Sequence, residues 1–236
     1  MSNIDIVYFD MGNTLVNFKN NKKNILDSSI EETVCYINRR YGINITHELF
    51  KMYYKEWQEE VKTYEAENKE VDILLVLNDF FKKYGLIFTE KEAIQLYKIL
   101  YHQTFENAQL ELFVFEALVE LKKENYKTGI ISNMPVYSEV AMEILRGLKI
   151  DKFFDYYLFS YDIRICKPSL EIFKKAILDN NILAQNSIMI GDSLKNDYFP
   201  ARQVEMNPIL YGASKEYNSF DNYKLIMERV KKYERN

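Results

Sequence analysis

Residues 4–15 read Ile4-Asp5-Ile6-Val7-Tyr8-Phe9-Asp10-Met11-Gly12-Asn13-Thr14-Leu15. Ile4 to Phe9 is apolar except for Asp5 and rich in β-branched and aromatic side chains, the composition of a short buried strand. That strand delivers Asp10 to its C-terminal end, where open α/β sheets gather their ligands. Gly12 and Asn13 then predict a tight turn, with main-chain groups close to the carboxylate. An aspartate so placed is a candidate nucleophile or metal ligand. A strand-ending Asp-x-Gly is also ordinary turn chemistry, so the rest of the chain has to supply the deciding residues.

From Leu112 onward, apolar strands and helices alternate. A helix over Phe113–Glu124 precedes a strand over Lys127–Ser132. A helix over Val136–Leu148 precedes a strand over Tyr157–Ser160, and Leu170–Asn180 precedes Ser187–Ile190. A short helix after Asp197 leads to Pro208–Tyr211, and a polar amphipathic helix closes the chain. This alternation predicts a parallel sheet covered on both faces, with Ile4–Asp10 as one of its strands. Residues 20–107 carry only helical patterning. Ile25, Ile30, Val34 and Ile37 form a stripe that ends near Tyr41-Gly42. Thr46 caps a second helix with Leu49, Met52, Tyr53 and Trp57. Val71–Tyr84 and Thr89–Thr104 supply two more, and Thr89 with Glu92 makes a capping box. The helical block is therefore an insertion after the first strand. Its expected hinges are Asn17–Asn20 and Asn107–Leu112.

Composition narrows the function. The chain has 236 residues, 47% hydrophobic and 28% charged, enough for one large domain or a core with a smaller insert. A net charge of −4 argues against non-specific nucleic-acid binding, which needs a basic face. No apolar run approaches the ~20 residues that span a bilayer, and the first residues lack the features of a signal peptide. Cys35 and Cys166 have no paired spacing, so both are expected as free thiols in a reducing compartment, with the cytoplasm as the default location. His47, His102, Trp57 and the 19 Tyr and 15 Phe read best as surface or packing residues.

Three further strand ends carry polar residues: Ser132-Asn133, Lys167-Pro168, and Gly191-Asp192-Ser193-Leu194-Lys195-Asn196-Asp197. Each alone passes for a helix cap, a helix entry or a turn. Together, in the order Asp, Ser, Lys, Asp, they resemble the haloacid dehalogenase superfamily, in its branch with a helical cap between the first and second motifs. The resemblance spans nearly the whole chain. Its most specific parts are Gly191-Asp192-x-x-x-x-Asp197 and Lys167-Pro168-Ser169-Leu170-Glu171-Ile172-Phe173. It implies an α/β fold: a Rossmann-like, doubly wound parallel core (1–17 plus 109–236) with an inserted α-helical cap (18–108).

The resemblance also implies a magnesium-dependent phosphatase acting on a small phosphorylated metabolite. Asp10 would attack phosphorus to form an aspartyl-phosphate. Ser132, Asn133, Gly12 and Asn13 would hold the phosphate, and Lys167 would share its charge between phosphate and Asp10. Mg2+ would be bound by Asp10, the Gly12 carbonyl and Asp192, with Asp197 as an outer or water-mediated ligand. A monomer or homodimer without nucleic-acid or membrane partners is expected.

Two departures matter. Most phosphatases of the superfamily carry a second aspartate two positions after the nucleophile, to protonate the leaving group and activate water; here that position is Gly12. Such help is typically worth ~10²–10⁴ in rate, so substrates with good leaving groups are expected over simple alkyl phosphates. Phosphonatases also have a small residue there and use a cap lysine, for which Lys51, Lys55 and Lys62 are candidates. A catalytically weak relative that binds or senses a phosphorylated ligand is the other alternative. Pro200 and Glu205 stand where members often have glycine, so a different local backbone is expected there. Specificity is expected from the cap around Gly42–Thr46 and Trp57–Tyr64.

Overall fold

The structure, a computed structural model, describes residues 4–18, 22–212 and 214–234. Its strands are β1 (Ile6–Phe9), β2 (Val16–Asn17), β3 (Gln109–Leu110), β4 (Lys127–Ser132), β5 (Tyr156–Phe159), β6 (Ser187–Gly191), β7 (Asn207–Tyr211) and β8 (Ser219–Phe220). Six of them form one sheet in the order β5-β4-β1-β6-β7-β8, with every neighbour pair parallel. Between β2 and β3 the chain folds as α1 (Lys22–Tyr41), α2 (His47–Glu65), α3 (Ile73–Phe81) and α4 (Glu90–Glu106). The later helices are α5 (Val114–Lys123), α6 (Ser138–Gly147), α7 (Ser160–Ile163), α8 (Leu170–Asp179), α9 (Phe199–Gln203) and α10 (Ile226–Glu234).

The doubly wound architecture follows from the period-two placement of side chains on β1. Val7 and Phe9 join Leu118, Ile144 and Val230 on one face of the sheet, contributed by α5, α6 and α10. Ile6 and Tyr8 join Ile172, Phe173 and Ala201 on the other, from α8 and α9. With both faces covered, all four β1 residues are buried, as a central parallel strand requires.

The helical block has an aromatic core of its own. Phe50, Tyr53, Trp57, Phe80, Phe81 and Tyr97 pack together there, joined by Val136, Tyr137, Val140 and Tyr161 from the sheet side. Trp57 stacks edge-on against Tyr97, with ring centroids 5.3 Å apart, and the Tyr53 and Tyr97 hydroxyls share a hydrogen bond. The caps anticipated from sequence form: Thr46 accepts from the Leu49 amide, and Thr89 and Glu92 close a capping box. Gly42 ends α1 with a φ of 66°.

Four short elements were not anticipated. β2 and β3 pair antiparallel, Val16 with Leu110 and Asn17 with Gln109, so the two expected hinge segments are zipped to each other. Lys19 and Asn20 of the first hinge lie outside the described residues. β8 adds a sixth strand at the sheet edge, and α7 turns the chain directly after β5. Elements this short carry no readable periodicity. The sixth helix is also shorter than the Val136–Leu148 expected: it starts at Ser138, and the Tyr137 that precedes it donates no side-chain cap.

Candidate active site

Register brings the motif residues together. Phe9 lies opposite both Ile130 and Ile190, so Asp10 is level with Gly191 and one residue short of Ser132. The Asp10 amide continues the ladder by donating to the Ile190 carbonyl at 2.8 Å. Beyond it the chain folds back tightly: the Leu15 and Val16 amides both donate to the Met11 carbonyl at 2.9 Å, and the Asn13 amide donates to the Val16 carbonyl at 2.8 Å. Asn13 takes a φ of 55°, a conformation that asparagine tolerates better than most residues. Buried Tyr223 braces this loop from the C-terminal segment by donating its hydroxyl to the Thr14 carbonyl at 2.8 Å.

Asp10, Ser132, Lys167 and Asp197 form one buried cluster. Oδ1 of Asp10 accepts from Ser132 Oγ at 2.9 Å and from Lys167 Nζ at 2.7 Å. The same ammonium donates to Asp197 Oδ1 at 2.5 Å and to the Ile131 carbonyl at 3.1 Å. All three of its protons therefore have partners. Among the described residues, Oδ2 of Asp10 has only the Thr14 hydroxyl, at 3.5 Å, which is too long for a strong bond. That oxygen is the one left for a ligand.

Burial by itself would pull the Lys167 ammonium's pKa down, but the Asp10 and Asp197 carboxylates outweigh it and hold the pKa above the ordinary lysine value. Asp197 is pushed up, first by burial and then by the nearby Asp10 charge, against the pull of Lys167. Asp192, exposed at the mouth of the site, is raised by partial desolvation and by Asp10.

Two residues of the cluster are fixed by contacts the sequence did not announce. Asn133 accepts from the Lys167 amide at 2.7 Å and donates to the Lys167 carbonyl at 2.9 Å. Its side chain thus braces the lysine's backbone, beside the cis Lys167–Pro168 bond. Gly191 lets Asp197 in: a Cβ on this glycine would lie 2.3 Å from Asp197 Cγ. The second Asp197 oxygen accepts from the Ser193 amide at 3.1 Å. A glycine ending a strand directly before Asp192 was the available signal for this close approach. At Gly12, by contrast, an added Cβ would meet nothing within 4 Å.

Asp10, Asp192 and Asp197 each present an oxygen within 4.8 Å of the others. Three carboxylates and no nitrogen or sulfur donor make a hard set that suits Mg2+. One ammonium against three carboxylates leaves two uncompensated negative charges, which a divalent cation would neutralise. The residues fit the ion.

Other expected residues sit elsewhere. Lys51 pairs with Asp27 and Lys62 with Glu59, all of them partly or well exposed, and Lys55 is exposed. Trp57 is wholly buried in the helical core and cannot line a cleft. The end of α2 does approach the fourth motif, since Lys195 and Glu65 interact electrostatically. Cys166 is buried, and burial pushes its thiol up to about 12. Pro200 is the second residue of α9, and Glu205 takes a φ of 65°, so the glycine-type turn persists there without glycine.

A parallel α/β sheet with an aspartate ending its first strand and a lysine–carboxylate cluster around it defines a class of hydrolases. The profile of the haloacid dehalogenase-like hydrolases matches residues 7–210, and the chain belongs to that family. It is 29% identical over 231 residues to a glyceraldehyde 3-phosphate phosphatase of Pyrococcus furiosus, covering 94% of this chain and 89% of that one. The corresponding Pyrococcus abyssi protein is 28% identical, with coverages of 88% and 81%. In structure it resembles an HAD phosphatase from Thermococcus onnurineus, with a TM-score of 0.65, 18% identity and coverages of 96% and 97%. A 2-haloacid dehalogenase from Pseudomonas syringae pv. Tomato DC3000 scores 0.65 at 19% identity, with coverages of 98% and 99%.

Proposed function

We propose that the chain is a magnesium-dependent phosphatase of a small phosphorylated metabolite that works through an aspartyl-phosphate on Asp10. The observation that carries this reading is the division of labour on Asp10. Its Oδ1 is held by Ser132 and Lys167, while Oδ2 has, among the described residues, only the long Thr14 contact. A carboxylate fixed by one oxygen presents the other as an aimed nucleophile.

In this reading Lys167 stays charged throughout and moves part of its interaction from Asp10 to the transferring phosphoryl oxygens as the bond from Asp10 to phosphorus forms and the bond to the leaving oxygen breaks. Water later hydrolyses the resulting acyl phosphate. Ser132 turns its hydroxyl to a phosphoryl oxygen in the same exchange. Asn133 keeps Lys167 in place, so its own contribution to phosphate binding falls to its main-chain amide. The Met11–Asn13 turn offers further main-chain groups, the arrangement that suits an anion. Mg2+, held by Asp10, Asp192 and the Gly12 carbonyl with Asp197 behind them, would neutralise charge on the phosphate and its attacking oxygen. Residues 18–108 would act as the cap that closes over this site. The phosphatase names of the Pyrococcus relatives support this reading, as does the oxygen-only donor set. Among the described residues, Lys51, Lys55 and Lys62 are partly or well exposed, which does not favour the phosphonatase alternative.

The decisive experiment is acid-quench trapping with a labelled aryl phosphate and Mg2+, followed by mapping of the phosphorylated residue. The label is expected on Asp10. Turnover should cease on chelation, return with Mg2+, and fall to background in Asp10→Asn. A fully active Asp10→Asn protein sinks the proposal.

A further inference from the structure

The loop between α2 and α3 is strapped to the stretch of chain that precedes Lys167. The Glu70 amide donates to the Arg164 carbonyl at 3.2 Å, and the Cys166 amide donates to the Asn68 carbonyl at 3.0 Å. Lys69 and Ile165 form an antiparallel bridge between these bonds. Arg164 reaches back the other way. Its guanidinium donates to the Val71 carbonyl at 3.1 Å while lying 3.7 Å from the Tyr161 ring centroid.

Inside this strap lies a carboxylate with no role in the chemistry above. Glu70 is 4% exposed. Its Oε1 accepts from the Ser160 hydroxyl, and its Oε2 is buried without a partner. Ser160, fully buried at the end of β5, in turn accepts from the Met134 amide at 2.7 Å. Met134 ends the Ser132-Asn133-Met134 turn, whose first residue holds Asp10 and whose second braces Lys167. A buried carboxyl with an unmet oxygen is costly. Its one bond runs, through a single hydroxyl, to the turn that carries two active-site residues.

We propose that Glu70 is a positioning residue: through Ser160 it sets the Ser132–Met134 turn, and so makes the geometry at Asp10 and Lys167 depend on the helical block being docked. This rests on the phosphatase reading only where activity is the readout. Glu70 faces Ser160 and Arg164 from the α7 segment, Cys166 just beyond it, and Glu65 at the end of α2. Burial, then Glu65, push its carboxyl up to about 7, opposed by Ser160 and Arg164. Because the docked pKa exceeds the ordinary value of 4.5, docking takes up a proton. The strap is therefore tightest below the ordinary value and loosens as pH rises through about 7.

The test uses the full chain and three variants. Ser160→Ala removes the relay, Glu70→Ala removes the acceptor, and Glu70→Gln keeps an acceptor without the charge. Amide hydrogen exchange is followed at Met134, with the β6 amides as internal control. Both alanine variants should speed Met134 exchange about tenfold or more while the β6 amides stay protected. They should also lower kcat on an aryl phosphate by about tenfold with a smaller change in KM, as a misplaced rather than a missing group does. Glu70→Gln should stay within about threefold of wild type and lose the loosening near neutral pH. If a folded Ser160→Ala protein shows wild-type Met134 protection, or if protection falls with kcat unchanged, the proposal is overturned. Should the wild type turn over no phosphate at all, the phosphatase reading fails, and the exchange data still decide whether Glu70 holds the turn.

Discussion

Two glycines stand at two neighbouring strand ends, and they do opposite things. Gly191 closes β6 against Asp197, with no room for even one more carbon. Gly12 follows β1 and faces open space, at an ordinary backbone conformation. The first glycine is a steric requirement of the site, because it makes room for Asp197, one of the two carboxylates paired with buried Lys167. The second leaves the position two residues after Asp10 without a side chain and with room for one. The fourth motif is therefore sterically tight, while the first holds Asp10 firmly and, in the mechanism proposed above, leaves the leaving-group side without an acid.

The largest effect is expected from filling the tight position. Gly191→Ala forces Asp197 away and leaves Lys167 with a single carboxylate. Breaking a buried ion pair in this way costs about 3–5 kcal/mol, and shifting Lys167, which holds Asp10, should cost roughly 10²-fold or more in turnover. Urea unfolding and aryl-phosphate kinetics measure both. A variant of wild-type stability would mean that Asp197 can move without penalty, and the contrast between the two glycines would disappear.

Filling the open position should do the reverse. Gly12→Asp meets no steric obstacle at Cβ and supplies an acid next to the leaving oxygen. Hydrolysis of an alkyl phosphate should rise by roughly 100-fold, the lower end of what general acid catalysis contributes. An aryl phosphate, whose leaving group departs without a proton, should change little. Glyceraldehyde 3-phosphate is an alkyl phosphate, and it names the Pyrococcus relatives. It is therefore the informative substrate to include. If the wild type already hydrolyses it as fast as an aryl phosphate and Gly12→Asp adds nothing, another residue donates the proton.

These contrasts also show where the sequence was legible. Asp10, Ser132 and Asp192 could be read because each sits where an apolar strand gives way to polar residues, and Lys167 and Asp197 because each lies at or just before the entry to the next helix. Register then did the rest, since parallel pairing sets such ends side by side. The Asn133 brace and the Glu70–Ser160 contact could not be read. They join positions 34 and 90 residues apart, and nothing local marks either pair. Helical periodicity showed that Trp57 lies on an apolar stripe, but not whether that stripe faces a cleft or the block's own core. The β2–β3 ribbon escaped because two residues per strand leave no period to detect.

The smallest effect is expected at a third position, where the backbone wants glycine and the chain offers glutamate. At the end of α9 the Met206 amide donates to the Ala201 carbonyl at 3.0 Å and the Glu205 amide to the Arg202 carbonyl at 3.1 Å. This is the double closure in which the residue after the cap takes a left-handed conformation and is usually glycine. Glu205 adopts it at a φ of 65°, which costs an L residue about 1–2 kcal/mol. Its exposed side chain makes no contact that offsets the cost by burial. Glu205→Gly removes that strain but gives the unfolded chain more freedom, worth about 0.4–1 kcal/mol in the other direction. The net should be a stabilisation of roughly 0.5 kcal/mol, seen as a small rise in urea midpoint, with turnover unchanged. A loss of stability would show that the glutamate side chain contributes something beyond the turn. A loss of turnover would tie this helix end to the Gly191–Asp197 loop and extend the rigid half of the site.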